Sequence, residues 1–296
     1  MKSLTDNHQD RPVYGILCAV FAFFLLSAMG AGVKILAQTH HVIEIAFYRN
    51  LIALVPVLIY IALTRKTHLL KTGKPFILFL RVMVGAVGLI LTFAALKSLP
   101  LADATTLFFT SSLLSPALAF FILKERIGLH RWSAIIIGLC GILLVARPTG
   151  DGVSMLGVSL ALAAASTHAM IYLFLRSLKS ESSVTVTLYF FAGGVLLPGL
   201  FMPFVASMPG PQEWGLFALV GVSGGLAQYF MTRAFRLADV GSIIPVTYTG
   251  LLWATGFDIL IWHDAPGWPV LAGGVIIISA NLYILHRERK KQRMGG

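Results

Sequence analysis

Lys34, Arg49, Arg81, His168, Arg233 and Asp258 each stand inside an otherwise apolar stretch of this sequence. An ionisable group held at the depth of a hydrocarbon core costs about 3 kcal/mol on insertion scales, so it turns toward protein or water and marks a pathway by default. Four of these residues are cations and one is an acid, with Glu44 a further acid near the edge of its stretch. That balance favours an anion, and the planar fork of arginine holds a carboxylate through two parallel hydrogen bonds. A substrate bearing a carboxylate is the expectation.

Each residue also has a plainer use. Lys34 and Arg233 lie close enough to the ends of their stretches for their long stems to snorkel to the headgroups. Arg49 and Arg81 lie roughly two helical turns in, where they either face a cavity or pin a neighbouring helix through its carbonyls. His168 could relay a proton, or simply hydrogen-bond to a neighbour. Asp258 could pair with Lys34 or an arginine, or bind a driving proton.

Polar positions recur at helical spacing around these charges. Thr105, Phe108, Ser112 and Ser115 fall on one face, and Ile244, Tyr248, Leu251, Thr255 and Asp258 on another. Hydroxyls in membrane helices also bond their own backbone, which is the alternative for many of them. Tyr172, Trp253, Gln228 and Asn281 are further cavity candidates, the aromatic ones as walls for a substrate body. The substrate-binding candidates are thus Arg49, Arg81, Ser112, Ser115, His168, Tyr172, Arg233, Tyr248, Trp253 and Asp258.

The elements that must position them follow from composition. The chain is 57% hydrophobic and 12% charged, half the charge of a typical soluble domain, which is about a quarter Asp, Glu, Lys and Arg. Its apolar residues come in runs of about twenty, the length that crosses a hydrocarbon core as helix, and they do not alternate as barrel strands do. Ten spans are expected, near 14–37, 42–63, 75–96, 103–122, 132–147, 153–176, 184–206, 214–236, 239–261 and 267–286. The polar start and the lack of a small-residue cleavage site point to an uncleaved first helix.

With the N-terminus inside, 17 of the 23 Lys and Arg residues fall on the cytoplasmic side and only Lys97 and Arg147 outside. That is the positive-inside pattern of an inner-membrane protein with both termini cytoplasmic, and it accounts for the +11 net charge without nucleic acid. The loops are short, so chemistry is expected within the bundle. No GxxxxGK[ST] run is present to bind ATP, and the two cysteines, Cys18 and Cys140, sit in apolar runs as packing residues without metal-ligand spacing. No cofactor or metal is expected.

An internal repeat is visible. Leu101-Ala102-Asp103-Ala104 resembles Leu237-Ala238-Asp239-Val240 at an offset of 136, and at that offset Trp132 falls on Trp268, Gly138 on Gly274 and Ser112 on Tyr248. Five helices per unit is odd, so units spanning residues 1–149 and 150–296 would enter the membrane from opposite sides, the inverted arrangement on which alternating access depends. Gly85 with Gly88, Gly138 with Gly141, and Gly221 with Gly224 and Gly225 would let helices approach closely.

Phe47-Tyr48-Arg49-Asn50, Arg81, Pro100 to Ala104, Pro116, Lys124-Glu125, Trp132, Gly138, Gly141 and Ala146-Arg147-Pro148 resemble the first EamA unit of the drug/metabolite transporter superfamily. Tyr248, Leu252-Trp253 and Trp262-His263-Asp264-Ala265-Pro266 resemble the end of the second, with Asp264 where that family usually carries Glu. The resemblance covers nearly the whole chain and is strongest to the subgroup of S-adenosylmethionine-uptake-like and carboxylate carriers. It implies an all-α integral membrane protein of ten helices in two inverted five-helix units around a central cavity. It also implies export or exchange of amino acids, organic acids or related metabolites. The expected function is secondary-active carriage of a small polar metabolite, driven by a proton or by exchange. A membrane-embedded lipid-modifying enzyme and a lipid flippase are the alternatives, although HExxH, GxSxG and clustered acids are missing.

Overall fold

The computed structural model describes residues 12–124, 129–147, 154–178, 180–238 and 240–294, and all regular structure among them is helical. Glu125, Pro148 and Asp239, and the loop cations Lys2, Arg11, Arg126 and Lys179, lie outside the described residues, as does the side chain of Ile244.

The helices are α1 (Pro12–Leu36), α2 (Val42–Thr64), α3 (Pro75–Ser98), α4 (Leu101–Phe108), α5 (Thr110–Leu123), α6 (Leu129–Ala146), α7 (Met155–Ser177), α8 (Ser183–Gly199), α9 (Met202–Val205), α10 (Pro211–Leu237), α11 (Val240–Thr247), α12 (Thr249–Phe257) and α13 (Trp268–Met294), with a π turn over Asp258–Trp262. Among the described residues, seven helical segments are long and apolar enough to cross a membrane, α4 and α5 counting as one continuous span. Two more apolar helices, Trp132–Ala146 and Ser183–Gly199, are shorter, and the ninth expected span is broken at Tyr248.

Local chemistry places the ends. Ser154 and Ser182 accept from Gly157 N and Val184 N at the starts of α7 and α8, and proline opens α3 and α10, where a missing N–H costs nothing. Arg65, Lys124 and His263 end their helices with φ of 52°, 54° and 54°. In place of the usual glycine they put basic side chains at the negative end of the helix dipole.

Packing follows the rule for lipid, in which tails are as apolar as leucine and close backbone approach holds helices together. Ala161, Ala164, Ala165 and Ala169 of α7 are fully buried, whereas Phe76, Phe204 and Leu260 are exposed on the outside of the bundle. Cys140 likewise faces outward, not into the core.

The helix pairs form a matched set: α1 packs on α10 as α7 packs on α3, while α2 packs on α8, α6 on α13 and α4 on α12. Glycine contacts give their directions. Gly199 and Gly194 of α8 meet Phe47 and Asn50 of α2, and Gly141 of α6 meets Ile277 while Val145 meets Gly273 of α13, so both pairs are antiparallel. Features of the two halves coincide at an offset of 139. Leu99 and Ala238 are extended C-caps, Phe109 and Tyr248 are helix breaks, and Lys124 and His263 are left-handed caps. At each break an amide reaches back only three residues, Ser112 N to Phe109 O at 3.2 Å and Leu251 N to Tyr248 O at 3.1 Å.

Candidate functional site

Arg49 on α2 and Arg81 on α3 are 5% and 6% exposed, and both guanidinium groups lie against Phe190 of α8, at 5.8 and 4.6 Å from its ring centroid. Arg49 also faces the Phe191 ring at 5.3 Å. The room comes from small residues. A Cβ on Gly224 of α10 would stand 2.8 Å from Arg49 Nε, and one on Gly85 would stand 2.8 Å from Arg81 Nη1.

Arg49 Nη1 donates to Asn50 Oδ1 at 2.9 Å, and Asn50 Nδ2 is fixed by the Ala46 carbonyl at 2.7 Å. Arg49 Nε, Arg81 Nε and Arg81 Nη1 are buried without an acceptor, and the ion pairs among the described residues involve other cations. A buried, unmatched donor costs about 1–3 kcal/mol, more when charged. Ring faces offset part of that through cation–π attraction, of about 0.5–2 kcal/mol each, but they accept no hydrogen bonds. Unmatched guanidinium donors of this kind are met by an anionic acceptor.

The two helix breaks meet beside each other. The rings of Phe109 and Tyr248 pack edge to face at 5.1 Å, and Asn281 of α13 reaches the Phe109 carbonyl at 3.5 Å and lies close to the Tyr248 hydroxyl. Tyr172 of α7 lies close to Ser111, next to the first break. One turn earlier on α7, His168 Nε2 lies 3.3 Å from Thr92 Oγ1 of α3. That hydroxyl donates to the Gly88 carbonyl at 2.7 Å, so the ring nitrogen is assigned as the donor. His168 also packs edgewise on Phe108.

The remaining candidates distribute differently. Ser112 is exposed and Ser115 half-buried. Trp253 packs on Phe24 of α1 at 5.3 Å, in an aromatic group with Phe257. Arg233 is exposed on α10 and donates to Tyr229 at 3.0 Å, one turn earlier on the same helix, outside the arginine pair. Asp258 is 1% exposed and takes three donors: Lys34 Nζ at 3.3 Å, Leu101 N at 3.1 Å and Ala102 N at 2.7 Å. Lys34 in turn lies 4.2 Å from the Trp262 ring centroid. Asp258 thus closes the positive end of α4 from the far side of the chain.

Sequence reasoning singled out the arginines and Asp258 but missed Phe190 and Thr92. Neither residue type is unusual in a membrane helix, so no local signal separates them from packing residues.

The model of the EamA-like transporter family matches this chain twice, over residues 13–147 and 155–285. The pseudopaline exporter CntI of Pseudomonas aeruginosa strain UCBPP-PA14 is 30% identical over 280 residues, covering 93% of this chain and 97% of that protein. The S-adenosylmethionine uptake transporter of Rickettsia bellii is 27% identical over 279 residues, covering 90% and 94%. A solved crystal structure superposes with a TM-score of 0.64 at 18% identity, covering 91% of this chain and 95% of that one, which establishes a shared fold.

Proposed function

The chain belongs to the EamA-like transporter family, and from that premise we propose that it is a secondary carrier for a small metabolite bearing a carboxylate. The observation that carries the substrate class is the pair of buried guanidinium groups on Phe190, with three nitrogens free of acceptors. S-adenosylmethionine, for which one relative is named, is an amino acid derivative with such a carboxylate. The relatives' names include both uptake and export, so direction of transport is left to the driving gradient.

The proposed architecture is ten crossing segments in two inverted units, residues 1–149 and 150–296. The double family match, the antiparallel pairing of α2 with α8 and α6 with α13, and the coincident breaks at Phe109 and Tyr248 support it. In this reading the two units rock about the site between them and expose it to one side at a time. Tyr172, Tyr248, Ser111 and Asn281 would line the path beside the arginines, and the aromatic rings would contact the substrate body. Excess Lys and Arg in alternate loops supports placement in the bacterial inner membrane with both termini cytoplasmic.

A thermal-shift screen of the purified protein against amino acids, carboxylates and nucleoside derivatives tests the substrate class, because a ligand that binds the folded state raises its apparent stability. Stabilising compounds are expected to carry a carboxylate. Hits confined to compounds without one would overturn this reading. Liposomes loaded with a labelled hit then distinguish a carrier, which moves the label unchanged, from an enzyme, which alters it.

A further inference from the structure

A second polar cluster lies apart from the arginines, where α1 turns into α2 and the segment between α9 and α10 folds over it. His40 is 4% exposed and Glu44 is fully buried. The His40 ring stands between two acids, with Nδ1 at 3.1 Å from Glu44 Oε2 and Nε2 at 3.1 Å from Glu213 Oε2 of α10. The second contact is off the line of the ring N–H, so it is an ion-pair contact and not an aligned hydrogen bond.

Ser207 completes the group. Its hydroxyl lies 2.7 Å from His40 Nδ1 and 3.1 Å from Glu44 Oε2, and its amide donates to that same carboxylate oxygen at 3.3 Å. Thr39 Oγ1 and Gly210 N donate to Glu213 at 3.1 and 2.7 Å. The titratable groups facing the ring are Glu44 and, beyond it, Tyr48 from α2, and Glu213 from α10, while Phe217 packs edgewise on it. His41 turns away to accept from Ile43 N.

Counting hydrogens decides what this cluster holds. A neutral imidazole carries one ring hydrogen, so with both acids ionised one ring nitrogen would stand 3.1 Å from a carboxylate oxygen with no hydrogen to share. Two carboxylates would then flank the buried ring, Glu213 with its side chain 30% exposed and Glu44 fully buried with its Oε1 lacking any partner. One additional proton, on the ring or on a carboxyl, removes the clash and lowers the charge. We infer that His40, Glu44 and Glu213 form a proton-binding site that ties the α1–α2 corner to the α9–α10 segment while the proton is bound. The tied form holds one more proton than the released form, so rising pH favours release. On the carrier reading above, this is where a proton holds one end of the bundle shut.

The test measures the tie without any substrate, so its outcome is independent of the carboxylate reading. Spin labels are placed at Gln38→Cys and Ala206→Cys, both exposed, in the full chain with Cys18→Ala and Cys140→Ala. Their separation is read in lipid nanodiscs by double electron–electron resonance between about pH 5.5 and pH 8.5, the range in which an imidazole changes charge. A single short distance at acid pH is expected to give way to a longer population as pH rises, and His40→Gln is expected to abolish the response. Glu213→Gln, on the more exposed member of the cluster, is expected to move the midpoint to lower pH. A separation that ignores pH in the parent chain, a His40→Gln variant that keeps the response, or an unmoved midpoint in Glu213→Gln would each overturn the inference.

Discussion

Asp258 Oδ2 lies 2.7 Å from the amide nitrogen of Ala102, 156 residues earlier in the chain, so a carboxylate from the ninth expected span caps the helix that opens the fourth. With Lys34 on the same carboxylate, one buried acid joins α1, α4 and the π turn. An acid in this position contributes most when its partners have no other acceptor, because breaking a buried pair leaves a charge unmatched.

Replacing Asp258 with Asn is therefore expected to lower thermal stability by about 3 kcal/mol, the range for a buried pair that loses one partner. Lys34→Met should cost less, since Lys34 is 15% exposed at its side chain and can reach toward water. Combining the two should cost less than the sum of the singles, and a double-mutant cycle read by thermal unfolding measures that coupling. Strict additivity would show that the ion pair does not hold these helices together.

Arg49→Lys and Arg81→Lys keep the charge but lose the planar fork. Each is expected to weaken binding of any carboxylate found in the screen by about tenfold or more, equivalent to about 1.4 kcal/mol. Dose–response thermal shifts give the change directly. Unchanged affinity in both variants would remove the arginines from the substrate site.

The glycines make a prediction about packing. A Cβ on Gly273 would sit 2.7 Å from the Gly141 carbonyl oxygen, and backbone cannot rotate away as a side chain can. Gly273→Ala is expected to destabilise by about 1–3 kcal/mol. Gly215→Ala meets nothing within 4 Å and should be neutral or stabilising by up to about 1 kcal/mol. Comparing folded yield and unfolding temperature of the two variants checks the α6–α13 contact.

Topology is open to a direct check in cells. Gln38→Cys and Lys71→Cys, both exposed, lie in consecutive loops and are examined one at a time with Cys18 and Cys140 replaced by Ala. A membrane-impermeant thiol reagent added outside is expected to label Gln38→Cys and to leave Lys71→Cys unlabelled until the membrane is opened. The reverse pattern would place both termini outside.

Arg49 and Arg81 were legible in the sequence because a charge within an apolar run is costly wherever the chain folds, so its type and depth alone mark it. Arg233 carried the same mark, and it lies exposed and bonded to Tyr229 on its own helix. The Lys34–Asp258 pair was one of several partnerships the sequence allowed, and the structure selects it. The offset of 136 read from the sequence is not the one that the helix breaks keep. Helix breaks and caps align at 139, while Trp132 with Trp268 and Gly138 with Gly274 keep 136, since the link between Lys124 and Trp132 is longer than that between His263 and Trp268.

Lipid as solvent makes helix formation a local matter. Away from helix ends and breaks, backbone amides are satisfied within their own segment, so runs of apolar residues specify helices with little reference to their neighbours. Which side chains then meet is not local. Phe190 against two arginines, Asp258 on the amide of Ala102, and His40 between Glu44 and Glu213 each join residues from separate helices or turns, and only the packed bundle brings them together.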